Sequence, residues 1–178
     1  MPLSSVNLLI AAVPANPRPI KPLSLHIARW RKPHPNSLPV QSKSSGHYNM
    51  MIVCQKEAKS LGFDDAVLLD WQGNIAECTT TNIFFVKNDN LHTPIADNFL
   101  NGITRQTIIE LASKMNIAVS EERIAVEQIG EFDECFMTGT AMEVRGIKSI
   151  DIGSRNIEFS NNKITNLLKN EYDVLVGK

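Results

Sequence analysis

Gly102 is followed by Ile103, Thr104 and Arg105 and then by apolar residues at Ile108, Ile109, Ala112 and Met115. That spacing predicts a helix, so residues 102–104 stand at its start. A glycine followed by free backbone N–H groups at the positive end of a helix makes a ready phosphate site. Gly139-Thr140-Ala141 is a second anion-suited element, a small-residue turn after the apolar run 134–138 that would expose several N–H groups at once. Glu77 closes a strand-like run with apolar neighbours. A partly buried carboxylate there needs a partner, in the plainest case a backbone N–H or a lysine. Lys43 lies at the end of an extended segment just ahead of a predicted helix, with Gly46 and Tyr48 close behind it. Taken singly, each of these has a bland alternative: a capped helix, a plain turn, a structural acid, a solvated surface amine.

These residues need elements to hold them. Residues 7–13 fit a buried strand followed by a proline-bearing loop, and 23–30 a second strand. Pro33, Pro35 and Pro39 make 31–39 an irregular connection that leads to Lys43. Tyr48, Met51, Ile52, Ala58 and Leu61 fall near one face of a helix stopped at Gly62. Residues 66–70 and 75–78, around a turn at 71–74, read as a hairpin that delivers Glu77. The run 82–87 is a buried strand closed by Asn88, Asp89 and Asn90, with 91–93 returning. Beyond the 103–115 helix come an extended piece at 117–123, a short helical turn at 126–131, strands at 134–138 and 142–150, a turn at Gly153-Ser154 and a closing amphipathic helix at 164–176. The pattern predicts a mixed α/β (α+β) fold in one domain over residues 1–178, with no internal repeat.

Composition narrows the class. The chain is 43% hydrophobic and 21% charged, ordinary for a soluble globular protein. Its 18 basic and 19 acidic residues form no long block of either sign, which argues against nucleic acid or an anionic membrane as partner. The one basic run, Arg29-Trp30-Arg31-Lys32, reads as a solvated loop. Cysteines at 54, 78 and 135 suggest neither a disulfide framework nor a zinc site, so a reducing, cytoplasmic setting is expected. The histidines at 26, 34, 47 and 92 lack paired helical spacing, and no metal is expected. No apolar run is long enough to span a membrane, and the apolar residues 6–13 lack the basic region of a signal peptide.

A resemblance ties the separate elements together. Glu77, Asn82, Ile83, Phe84, Leu91, Thr93, Leu100, Gly102, Ile103 and Arg105, at their spacing, resemble the signature of the class IV aminotransferases, pyridoxal-phosphate enzymes of the branched-chain amino acid aminotransferase kind. K-x-x-G-x-Y at Lys43, Gly46 and Tyr48 resembles that family's lysine element, and F-M-T-G-T-A at 136–141 its second anion element. His47 stands where the family commonly has Asn, and Thr79, Thr80 and Thr81 replace a small-residue and Glu sequence. The resemblance implies the large cofactor-binding domain of that fold, with Lys43 as the catalytic Schiff-base lysine for pyridoxal 5′-phosphate. Tyr48 would approach the phenolic oxygen and Glu77 the pyridine nitrogen, with Ile103, Thr104 and Thr140 on the phosphate, and Thr140 and Ala141 on the substrate carboxylate. It further implies transfer between leucine, isoleucine or valine and 2-oxoglutarate in branched-chain amino acid biosynthesis, by a homo-oligomer. G-T-A-x-E-V at 139–144 leans to the branched-chain group over the D-amino acid aminotransferases and aminodeoxychorismate lyases, which share the Lys and Glu. Complete members carry a smaller N-terminal domain, to which nothing here corresponds. A weakly active or inactive remnant, or one half of a split enzyme, therefore stands as the other reading.

Overall fold

Strands buried on both faces read as near-continuous apolar runs, and the strands at 65–69, 75–78, 82–87 and 134–139 are buried nearly throughout. The computed structural model describes residues 8–14 and 21–178. In chain order these form β1 (Leu23–Ile27), α1 (Tyr48–Ser60), β2 (Asp65–Leu69), β3 (Ile75–Cys78), β4 (Asn82–Lys87), β5 (Asn90–Pro94), α2 (Ile103–Lys114), β6 (Val119–Glu122), β7 (Glu134–Gly139), β8 (Glu143–Asp151), β9 (Asn156–Glu158) and α3 (Lys163–Leu175). Short 3-10 turns at Ser45–His47 and Val126–Glu131 complete the set. The mixed α/β class is as the sequence led us to expect.

Hydrogen-bonded strand order is β3-β2-β1-β8-β7-β4-β5-β6, with β9 on β8. β1 lies parallel to β2 and β8, and β5 parallel to β6; the remaining pairs are antiparallel. β3 and β4 are far apart in that order, yet only residues 79–81 join them. A flat sheet would separate them by about 24 Å, whereas that linker reaches about 15 Å at full stretch. The sheet must therefore curl until the two strands meet, and there the Cys78 N–H donates to Thr81 O at 2.7 Å.

Curling divides the side chains by parity. Ile83, Phe85, Cys135, Met137, Leu25, Val67 and Ile147 fill the inside of the curl. Alternate residues point outward: Phe84, Val86, Phe136 and Val144 pack under α2 and α3, and Ala66 and Leu68 under α1. Phe84 stacks on Phe136 with ring centroids 5.0 Å apart. α3 docks through Glu134, whose carboxylate accepts from the Ile164 and Thr165 N–H groups at 3.0 and 2.8 Å in place of a side-chain cap from Asn162. Cys54, Cys78 and Cys135 are buried free thiols.

Two expectations need correction. Of the strand expected at 7–13, residue 7 lies outside the described residues, and Leu8, Leu9, Ile10 and Val13 are 79–90% exposed and unpaired with any described strand. An apolar run becomes a buried strand only when something covers it. The strand expected at 23–30 ends at Ile27 because the chain then loops away from β2 and returns. The Ala28 N–H donates to Val67 O and the Lys32 N–H to Leu69 O, each at 2.8 Å. β9 escaped notice in the sequence, being a three-residue strand after the Gly153 turn.

Candidate active site

On the outer face of the curl, where β3 passes into β4, Lys43, Tyr48, Glu77, Ile103, Thr104 and Thr140 line one cavity of about 210 Å³. They come from the loop before α1, the first residue of α1, β3, the start of α2 and the turn after β7. Ala141 does not line it; it is exposed in the turn one residue further on. A smaller cavity of about 40 Å³ shares Lys43, Tyr48 and Glu77 and runs toward His47 and Met51 at the start of α1.

Strand register explains the convergence. Glu77 pairs opposite Leu68, an outward residue, and Asn82 opposite Thr138, two places along from the outward Phe84 and Phe136. Glu77, Asn82 and Thr138 thus share one face at one end of the sheet. From there Asn82 builds the mouth of α2. Its Nδ2 donates to Leu100 O at 2.9 Å and its Oδ1 accepts from the Gly102 N–H at 3.2 Å. A Cβ on Gly102 would stand 2.4 Å from that Oδ1, so the contact requires glycine. Gly102 caps α2 without any side-chain hydrogen bond, which leaves the first helical N–H groups, at Ile103 and Thr104, without an intrahelical partner in residues that line the cavity. Arg105 has a different task. Its buried guanidinium ties α2 to Asn101 Oδ1 at 2.9 Å, Pro94 O at 2.9 Å and Glu121 Oε2 at 2.6 Å.

Two features of the site were not legible in the sequence. Thr138 lines the cavity, and its Oγ1 is buried without a hydrogen-bond partner. A buried hydroxyl left unpaired is costly, and this one belongs to a residue of the cavity wall. The second is Lys32, which is only 4% exposed and forms a buried ion pair with Glu77 Oε1. The solvated-loop reading of the basic run is therefore wrong for Lys32: the bond from its N–H to Leu69 O carries the side chain inward beside β3. Burial holds the Glu77 carboxyl above its usual range, and the Lys32 charge pulls it back. Lys43, by contrast, is exposed on the cavity side of the same acid.

Comparison with known proteins places this geometry. Residues 2–150 match the model of the family described as amino-transferase class IV. A probable branched-chain-amino-acid aminotransferase of Rickettsia bellii is 58% identical over 176 residues, which is 98% of this chain and 61% of that protein. The branched-chain-amino-acid aminotransferase of Escherichia coli K12 is 36% identical over 126 residues, 70% of this chain and 41% of that one. Among solved structures, the branched-chain aminotransferase of Thermoproteus uzoniensis with norvaline superposes with a TM-score of 0.83 at 32% identity, covering 89% of this chain and 53% of that one. An aminotransferase from Brucella abortus bound to the cofactor PLP gives 0.82 at 30%, covering 94% and 58%. The chain thus spans about three fifths of the length of its Rickettsia relative. Since the family match runs from the N-terminal region into β8 and takes in every residue that lines the cavity, the chain belongs to the class IV aminotransferases.

Proposed function

We propose that the cavity binds pyridoxal 5′-phosphate and that the protein carries the cofactor-binding half of a branched-chain amino acid aminotransferase, moving the amino group of leucine, isoleucine or valine to 2-oxoglutarate. The observation that carries this is the convergence of Lys43, Tyr48, Glu77, Ile103, Thr104 and Thr140 on one cavity from five separate parts of the chain. The residues fit the group. A helix start without a side-chain cap suits a phosphate, and a buried acid in the same cavity wall suits a ring nitrogen.

Bound there, pyridoxal phosphate supplies a ring that withdraws electrons and stabilises negative charge developing at the α-carbon of the amino acid. The chain's own residues do the rest. Lys43 Nζ would hold the cofactor and, as a free amine, would take the α-proton of the amino acid and return it. Glu77 would favour a protonated pyridine nitrogen, since a fixed negative charge stabilises a charged ring. Tyr48 Oη would tune the phenolic oxygen. The N–H groups at Ile103 and Thr104, with Thr140, would hold the phosphate, and Thr140 with Ala141 would receive the substrate carboxylate. Three buried free thiols accord with a reducing cytoplasm, and a homo-oligomer is part of the same reading.

Borohydride reduction of the protein with pyridoxal phosphate, followed by peptide mass mapping, tests the assignment. The expected result is a single modified peptide containing Lys43. Modification at Lys32 or another lysine, or none at all, would refute it. Asn82→Ala is expected to weaken cofactor binding roughly fivefold, the scale of one lost hydrogen bond, because the start of α2 loses its brace; equilibrium dialysis against the cofactor checks this.

A further inference from the structure

The Glu77 carboxylate has one hydrogen-bond partner among the described residues, and it is Lys32. Both side chains are buried, at 4% and 5% exposure, and the pair occupies Oε1 alone. The other carboxylate oxygen has no hydrogen-bond partner among the described residues, and Glu77 lines the cavity. Lys32 itself does not line that cavity; it borders a separate, largely apolar hollow of about 280 Å³ with Pro33, Leu38 and Met51. Its backbone is pinned to Leu69 O at the end of β2, and Pro33 confines it to an extended conformation. The lysine is thus fixed behind the acid, on the side away from the cavity. Lys43 stands in front of it.

Building on the cofactor reading above, we propose that Lys32 is a positioning residue: it clamps one oxygen of Glu77, keeps the acid ionised in a dry wall, and leaves the second oxygen free to meet the ring nitrogen of a pyridine cofactor. A carboxylate placed at this depth without a cation would take up a proton and lose its fixed orientation. It could then neither attract a pyridinium nor hold it in register.

The pH dependence of the cofactor-free chain separates this role from mere packing of the lysine stem. Burial raises the Glu77 acid, and Lys32 opposes the rise. Lys32→Met removes that opposition, so the acid rises further. An acid raised in the folded state favours folding below its unfolded value and loses that contribution as pH climbs through the folded one. Lys32→Met should accordingly be tolerated in acid and become steadily more costly toward neutral pH. At neutral pH, urea titration should show the folding equilibrium constant lowered by roughly a hundredfold or more, the scale for stripping one partner from a buried pair. In a Glu77→Gln background the same change should cost far less and lose its pH slope. Lys32→Arg, which keeps the charge, should restore most of the neutral stability. On the cofactor side, the dissociation constant for pyridoxal phosphate should rise at least about fivefold in Lys32→Met and return to within about twofold in Lys32→Arg. A pH-independent cost, equal in both backgrounds, would overturn the proposal and make Lys32 a packing residue. Weaker cofactor binding in Glu77→Gln with none in Lys32→Met would overturn it too, leaving the role of Glu77 intact. Unchanged affinity in both variants would remove Glu77 from the cofactor site, and the role of Lys32 with it.

Discussion

Glu77→Gln is expected to slow the half-reaction with leucine at least about a hundredfold, the scale of a critical electrostatic contact in a dry site, while retaining more cofactor than Lys43→Ala does. The amide keeps the shape of the carboxylate and still offers Lys32 an oxygen. It carries no charge, so it cannot favour the protonated ring over the neutral one. The electron demand of the cofactor at the α-carbon falls accordingly. A complication sits in the same pair: with Glu77 neutral, the buried Lys32 cation has lost its counter-charge, and the variant will be less stable as well as slower. Single-turnover rates must therefore be measured on cofactor-loaded protein and scaled to bound cofactor. Lys43→Ala, which removes the amine but not the acid, calibrates what is left when proton transfer fails. Near-normal half-reaction rates in Glu77→Gln would make Glu77 a structural acid whose business is the lysine behind it.

The same acid shows how far sequence reasoning reaches. Periodicity and turn chemistry were enough for β2, β3 and the hairpin between them, because the apolar runs there are bounded by Asp70 and Gly73. They served equally for β4 and β5, where Asn88 and Asp89 take positive φ in a two-residue turn that suits those residue types. Each signal is local. That a buried Glu77 would need a partner was also legible; which lysine supplies it was not, since nothing near Lys32 in the sequence encodes the hydrogen bond to Leu69 that turns it inward. Thr138 was hidden for a related reason. Its outward parity follows from pairing with Asn82 across β4 and β7, a register set by strands 56 residues apart. Residues 8–13 failed in the opposite sense: their local pattern is that of a strand, but strand formation is settled by what lies alongside.

What lies alongside is also the substance of the remaining expectation. Around the cavity and the N-terminal segment, apolar side chains stand in the open: Ile103 is 79% exposed at the start of α2, and Leu8, Leu9 and Ile10 are more exposed still. Exposed apolar surface of this kind is suited to a contact. On the resemblance drawn above, complete members carry a small N-terminal domain that supplies an arginine to the cofactor phosphate and side-chain walls to the substrate pocket. A charge-assisted contact of that kind contributes about 1.5 to 3 kcal/mol, or roughly ten- to a hundredfold in cofactor affinity. The walls exclude water from the reacting centre. We therefore expect the 178-residue chain alone to bind pyridoxal phosphate weakly and to be a feeble transaminase. Supplying the N-terminal region of the Rickettsia bellii relative, fused upstream or as a separate chain, should raise transfer from leucine to 2-oxoglutarate at least about tenfold and slow cofactor loss on gel filtration by a similar factor. Full activity and tight cofactor retention without that region would show that the cavity is already complete. No gain on adding it, with the added domain shown to bind, would favour the inactive half.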